Sequence, residues 1–239
     1  MKINIKSYDR FEVVYIDEFV AVVYKPSGLL SVPAPNVRGR TAQSSLEEYM
    51  RKTGTYSASH HPFAVHRLDR DTSGVMMFAL TKIMQDKIMN NWQTMVTERL
   101  YNALCENPDK SKEWAKHFKT GDSGTINSPL AYNAYHIAYV PRQKGKEKLV
   151  SAVTHYKVLK AGSKFTLFEL NLETGRKNQI RAHLASLGYP ITGDENYRAK
   201  TDFLKQLGLH ACVLSFIHPV SKKEMNFEVS RPEKWDSFY

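Results

Sequence analysis

The 239-residue chain has only two cysteines and no long uninterrupted run of apolar residues. Cys105 and Cys212 are too few for the disulfide framework of a small secreted domain, and they show no zinc-site spacing. Residues 1–6 lack the apolar segment of a signal peptide, and no stretch is long enough to cross a bilayer. We therefore expect a cytoplasmic protein with no metal, no other cofactor and two buried cysteines.

Acidic residues are also in the minority, because 34 Lys and Arg face 24 Asp and Glu and the formal charge is +10. The excess is confined to the middle of the chain: residues 51–200 hold 23 Lys and Arg against 13 Asp and Glu, and the two ends are neutral. This distribution is typical of a protein that binds a polyanion, although solubility alone could also account for it.

The apolar patterning predicts mostly short strands, with no repeats. Strands are predicted at residues 11–16, 19–24, 75–80, 153–159, 165–172, 212–217 and 225–229. The segment 107–148 is basic and poorly periodic, and we interpret it as a long insertion. Its cluster of cations is expected to be a solvated loop, with RNA contact as the alternative; the cluster comprises Arg142, Lys144, Lys146 and Lys148.

Three helices are predicted from caps and from helical spacing. The first extends to Met50 from a cap at Ser44 or Ser45, and the second runs from Lys82 to about Met95 after a cap at Thr81. The third spans about residues 177–187, where apolar residues recur every three or four positions and Gly188 follows. The buried face of the second helix is predicted to consist of Ile83, Ile88, Trp92 and Met95.

Two segments concentrate residues that can carry chemistry. Residues 66–80, HRLDRDTSGVMMFAL, place Arg67 and Asp69 on a loop that enters an apolar strand. Residues 170–197 place Arg176, Lys177 and Arg181 near the start of the third helix, where the helix dipole disfavours cations and a facing anion would compensate. A salt-bridged turn is the alternative for the first segment, and a solvated basic face is the alternative for Lys177.

These segments, with two others in the same order, resemble the RluA family of RNA pseudouridine synthases. The other two are residues 24–33, YKPSGLLSVP, and residues 99–104, RLYNAL, with a weaker match at residues 209–219. The chain departs from the family pattern at Asn178, where the family usually has His. Asn can donate and accept a hydrogen bond but cannot become cationic. The resemblance covers nearly the whole chain.

The resemblance implies an α+β pseudouridine synthase fold, with a mixed, largely antiparallel sheet, flanking helices and a central catalytic cleft. It implies that Asp69 is the catalytic acid and that Arg181 is the cation that keeps this partly desolvated carboxylate ionised. Arg67 would fill the space left by a flipped base, Tyr101 would offer a stacking face, and Arg176 would bind substrate. Asp71 is a rival carboxylate, interpreted as a turn acid.

Simpler interpretations of these residues stay open at this point. Arg181 could form a purely structural salt bridge, and Tyr101 could be an ordinary core aromatic. At the level of function, the alternatives are an RNA-binding or ribosome-assembly module without activity, and a hydrolase that uses Asp69 with Asp71. The two acids lie on one short loop, whereas glycosidases usually hold their carboxylates about 5 to 9.5 Å apart across a bond.

The whole chain is expected to form one catalytic domain without a separate N-terminal RNA-binding domain. Target choice would then come from this domain itself. The expected partner is a stem-loop of ribosomal or transfer RNA, where an unpaired base can be splayed out and stacked. No membrane and no obligatory protein partner are predicted.

Overall fold

The computed structural model describes residues 1–35, 37–109, 111, 115–143, 145 and 147–239. These residues divide into two compact units. The first comprises Met1–Arg99 and Ala211–Arg231, and the second comprises Leu100–His210 and Pro232–Tyr239. The expectation of one catalytic domain with a central cleft stays a prediction.

Short strands make up most of the regular structure. The described strands are β1 (Lys2–Ile3), β2 (Glu12–Ile16), β3 (Val20–Lys25), β4 (Phe63–Ala64), β5 (Ser73–Ala79), β6 (Val96–Glu106), β7 (Ser123–Asn127), β8 (Ala131–Tyr132), β9 (Ala138–Tyr139), β10 (Val153–Ala161), β11 (Phe165–Leu172), β12 (Leu209–Ile217) and β13 (Glu224–Val229). The helices are α1 (Ala42–Lys52), α2 (Lys82–Asn90), α3 (Trp92–Met95) and α4 (Gln179–Ser186), with 3-10 helices at Glu195–Tyr197 and Glu233–Ser237.

In the first unit the strands follow the order β2–β3–β5–β12, with β4 beside β5 and β13 beside β12. The pairs β2–β3, β3–β5, β4–β5 and β12–β13 are antiparallel, whereas β1 pairs with β13 in parallel. Every residue of β3 and β5 is buried, which explains the continuous apolar runs at residues 20–24 and 75–79. At Gly74 a Cβ atom would lie 2.2 Å from the carbonyl oxygen of Ala211, so this approach requires glycine.

In the second unit the strands pair in the order β6–β11–β10–β7, and all three pairs are antiparallel. A separate antiparallel ribbon consists of β8 and β9. Along β10 buried positions alternate with more exposed ones, as expected for a strand with one solvated face. The predicted class, α+β with a mixed and largely antiparallel sheet, is confirmed.

Two helix predictions were wrong in detail. Helix α1 is capped by Thr41, whose side chain accepts the Ser44 N–H in a capping box, so the cap is neither Ser44 nor Ser45. Thr81 does cap α2, but the helix ends at Asn90 and α3 follows. Ile83 is 74% exposed, because α2 turns this position away from the core that covers Ile88.

The segment 107–148 is not only an insertion. It supplies β7, which pairs with β10, and it supplies the ribbon of β8 and β9. The alternation in β7 was hidden because its residues are small and polar, with only Ile126 buried. In the predicted cation cluster, Lys144 and Lys146 lie outside the described residues, whereas Arg142 and Lys148 are exposed.

Candidate functional site

Asp69 lies in the first unit, on the loop that connects β4 to β5. Leu68 points inward and is 6% exposed, whereas Arg67 and Arg70 are exposed and Asp69 is half-buried. The Thr72 N–H donates to the Asp69 carbonyl oxygen at 3.2 Å and closes a turn. The loop therefore buries the side chain of Leu68 and places the charged side chains of Arg67 and Asp69 directly before and after it.

A buried lysine holds this loop from below. Lys25, at the end of β3, has no exposed surface, and its Nζ donates to three backbone carbonyl oxygens. These belong to Pro26 at 3.0 Å, Leu29 at 2.7 Å and Arg70 at 2.8 Å. Because all three protons of the ammonium are used, Lys25 joins the segment after β3 to the segment after Asp69.

Burial lowers the pKa of Lys25 to about 7, and the nearby carboxylates of Asp71 and Asp69 act against this shift. The two acids therefore favour the charged form of Lys25, and its three carbonyl partners stabilise that form as well. The motif containing Lys25 was recognised in the sequence, but this lysine was given no role there.

His66 acts as a hydrogen-bond acceptor at the start of the loop. Its Nε2 accepts the Met77 N–H at 2.9 Å, and its ring packs against Trp92 with centroids 5.2 Å apart. Burial lowers the pKa of His66 to about 3, and Arg99 contributes to this shift. The imidazole is therefore neutral near pH 7 and serves to fix the loop on β5.

Asp71 lies two residues after Asp69 on the same loop. Its carboxylate pairs with Arg70 at 3.0 Å, and both side chains are more than 40% exposed. Its backbone carbonyl oxygen accepts the Ser27 hydroxyl at 2.7 Å. An exposed acid paired with its own neighbour agrees with the interpretation of Asp71 as a turn residue.

In the second unit, Gln179 fixes the start of α4. Its Oε1 accepts the Thr174 hydroxyl at 2.8 Å and the Arg176 N–H at 3.0 Å. Its Nε2 donates to the Val153 carbonyl oxygen and to the Thr154 hydroxyl, each at 2.9 Å. Since Gln179 is 2% exposed and makes four hydrogen bonds, it fixes the loop that contains Gly175 and Arg176 against β10.

Asn178 lies at the turn that leads into α4. It is the N-cap of α4 and has φ 55° and ψ 21°, in the left-handed region. Asparagine tolerates this region better than most residues other than glycine. Asn178 therefore suits the backbone conformation of this turn.

Arg181, on the first turn of α4, forms a bidentate salt bridge with Asp194. Its Nε and Nη2 donate to the two carboxylate oxygens of Asp194, each at 2.7 Å. The side chain of Asp194 is 1% exposed and that of Arg181 is 11% exposed. The Arg181 Cζ also lies 5.1 Å from the ring centre of Tyr197.

The partner Asp194 was missed at the sequence level, although it lies within a matching segment. Its salt bridge occupies the edge of the guanidinium formed by Nε and Nη2. The structure thus shows Arg181 in a salt bridge with Asp194, as its simpler interpretation expected, and a role of Arg181 toward Asp69 stays a prediction.

The other two predicted substrate contacts lie in the second unit as well. Arg176 is exposed, and its Nε donates to the Ser151 carbonyl oxygen at 3.1 Å. Tyr101 lies on β6 opposite Leu170 and is 8% exposed. The structure therefore holds Arg176 at the surface and Tyr101 in a strand, and their contacts with substrate stay predictions.

Within the described ranges, no group of three or more His, Cys, Asp or Glu residues could hold a metal ion. Among the same residues, none of the helices is long and apolar enough to cross a membrane. Both cysteines are buried, as predicted.

The chain belongs to the RNA pseudouridylate synthase family, whose sequence model matches residues 19–186. It is 33% identical to an uncharacterized RNA pseudouridine synthase of Aquifex aeolicus, over 95% of this chain and 71% of that protein. It is 31% identical to the ribosomal large subunit pseudouridine synthase D of Zymomonas mobilis, over 93% of this chain and 69% of that protein. It is therefore an RNA pseudouridine synthase, an isomerase that modifies RNA.

The fold agrees with this assignment. The structure of human RNA pseudouridylate synthase domain containing 1 superposes with a TM-score of 0.71 and 22% identity, covering 98% of this chain and 90% of that one. The structure of human RNA pseudouridylate synthase domain containing 4 gives a TM-score of 0.66 and 23% identity, covering 94% and 90%.

Proposed function

We propose that the protein isomerises one specific uridine of a structured RNA, with Asp69 as the essential carboxylate. The reaction breaks the bond between C1′ and N1, turns the base and joins C1′ to C5. The C5 proton leaves and N1 gains a proton, so no redox partner or group donor is needed. A carboxylate beside C1′ can attack the sugar, stabilise its positive charge or remove a proton.

The observation that most favours Asp69 is that its side chain is partly accessible while the backbone on both sides of it is held by hydrogen bonds. The carboxylate is half-buried on a loop whose neighbouring residues are bonded to buried side chains. Such a group keeps access to a substrate while its position is restricted, which is what a reacting carboxylate requires. The Asp71 carboxylate forms an ion pair with the Arg70 guanidinium and its side chain is 44% exposed, which suits a turn residue.

For Arg181 we propose the role of counter-cation to Asp69 during the reaction. An acid that loses water when substrate binds stays ionised more readily beside a guanidinium. The salt bridge with Asp194 and the ring of Tyr197 support this proposal, because they fix the orientation of Arg181.

The remaining residues are proposed to handle the RNA. A stacked uracil must be extruded before it can react, at a cost of roughly a few kcal/mol. Arg67 is exposed next to Leu68 and can occupy the space that the base leaves. Tyr101 can stack on the flipped base, and Arg176 can bind the RNA backbone.

Tritium release from RNA that carries C5-tritiated uridine tests the reaction directly. We expect the purified protein to release tritium into water and to continue in excess EDTA, because the described residues offer no metal site. Binding without tritium release would favour the inactive RNA-binding module. Release of free uracil, or inactivation by the chelator with recovery on added metal, would favour a hydrolase.

The substrate is proposed to be an exposed loop in ribosomal or transfer RNA. The name of the Zymomonas relative refers to the large ribosomal subunit, which supports a ribosomal target. We expect pseudouridine mapping of total RNA, with and without the gene, to show the loss of such a site. A minimal stem-loop with that uridine should be modified by the pure protein, and failure of the stem-loop would contradict local recognition.

A further inference from the structure

The side-chain hydroxyl of Ser31 forms hydrogen bonds with both the N–H and the carbonyl oxygen of Leu68. Its Oγ donates to the Leu68 carbonyl oxygen at 2.7 Å and accepts the Leu68 N–H at 3.1 Å. Ser31 is 3% exposed and Leu68 is 6% exposed, so water does not compete freely for these groups.

These two bonds act on the residues that carry the proposed chemistry. The Leu68 N–H belongs to the peptide that follows Arg67, and the Leu68 carbonyl belongs to the peptide that precedes Asp69. Since a peptide group is planar, fixing both groups restricts how either neighbour can turn. One hydroxyl therefore orients Arg67 and Asp69 together.

Ser31 is itself held by the start of α1. The Gln43 N–H donates to the Ser31 carbonyl oxygen at 3.1 Å, and the Ala42 N–H donates to the Leu30 carbonyl oxygen at 2.7 Å. Thr41, the cap of α1, forms a parallel bridge with Leu30. The hydroxyl thus connects the loop of Asp69 to the first turn of a capped helix.

We infer that Ser31 is a positioning residue for Asp69, which it places by fixing the backbone on both sides of Leu68. This inference rests on the proposed role of Asp69. It assigns Ser31 no contact with substrate. Lys25 donates to the carbonyl oxygen of Arg70, and Ser27 donates to that of Asp71, so both bind backbone that follows Asp69. Of these three residues, only Ser31 binds backbone that precedes Asp69.

The test uses the full chain and compares Ser31→Ala with Ser31→Thr, which keeps a hydroxyl. For Ser31→Ala we expect a single-turnover rate about 10 to 100-fold lower, because small displacements of a reacting group cost up to about that factor. The KM and the RNA affinity should stay within about threefold, since phosphate contacts dominate binding. Ser31→Thr should recover most of the rate.

Ser45→Ala is the matched control, because Ser45 is a buried serine of α1. Rates are expressed per folded molecule, with the folded fraction taken from urea unfolding. A wild-type rate for folded Ser31→Ala, or an equal loss in Ser45→Ala, would overturn the inference. So would a loss explained by the folded fraction, or a failure of folded Ser31→Thr to recover activity. If Asp69→Asn stays active, the proposed function fails instead, whatever Ser31 does.

Discussion

Asp69→Asn is expected to abolish pseudouridine formation while RNA affinity stays within a few fold. The amide keeps the shape of the side chain but cannot act as a nucleophile, a base or a negative charge. We expect the rate of tritium release to fall on the order of 10⁴-fold or more, the scale for removing one member of a catalytic triad. Affinity should change little, because phosphate contacts dominate RNA binding.

Asp71→Asn is the matched control for this experiment. It makes the same chemical change two residues away, at an acid whose carboxylate pairs with Arg70 at the surface. Its rate should stay within about threefold of the wild type, since exposed ion pairs contribute little to stability. Retained turnover in Asp69→Asn would refute the assignment of Asp69 as the essential carboxylate. Loss of turnover in Asp71→Asn alone would assign that role to Asp71.

Arg181→Met is expected to reduce both the free energy of unfolding and the rate. The substitution leaves Asp194 as a buried carboxylate without its bidentate partner, which costs about 3 kcal/mol or more. The rate should fall about 10² to 10³-fold, the scale for removing one group that stabilises charge in a transition state. Urea unfolding and tritium release measure the two effects separately.

The double variant Arg181→Met, Asp194→Leu separates structure from chemistry. Replacing both members of a buried ion pair by apolar residues is often neutral for stability. We therefore expect the free energy of unfolding to recover to within about 1 kcal/mol of the wild type, while the rate stays low. Recovery of both quantities would show that Arg181 has only a structural role.

The strands were predictable wherever a run of apolar residues belongs to one buried strand. The predicted strands at residues 19–24 and 75–80 match β3 and β5 to within one residue, except that β5 begins two residues earlier, at Ser73. Both could be predicted because they are buried along their whole length. Strand β7 was missed, since its small polar residues show no alternation and it is defined by pairing with β10. Pairing partners distant in sequence are not encoded locally.

The site was predictable as a set of residues but not as a set of contacts. The motif identified Asp69 and Arg181, whereas the salt bridge between Arg181 and Asp194 depends on how the chain after α4 folds back. Lys25 lies in a recognised motif, yet its three carbonyl partners come from two separate segments. A backbone carbonyl has no sequence signature, so such partners become visible only in three dimensions.

The sequence by itself determined the family, the fold class and the candidate acid, because the ordered motifs and apolar runs are local in the chain. Only the tertiary structure decided which groups hold that acid's backbone and which carboxylate pairs with Arg181. Ser31 and Leu68 are 37 positions apart in sequence, and one hydroxyl joins them at 2.7 Å. Hydrogen bonds between buried groups depend on distances of a few tenths of an ångström, which the packing of the folded chain sets.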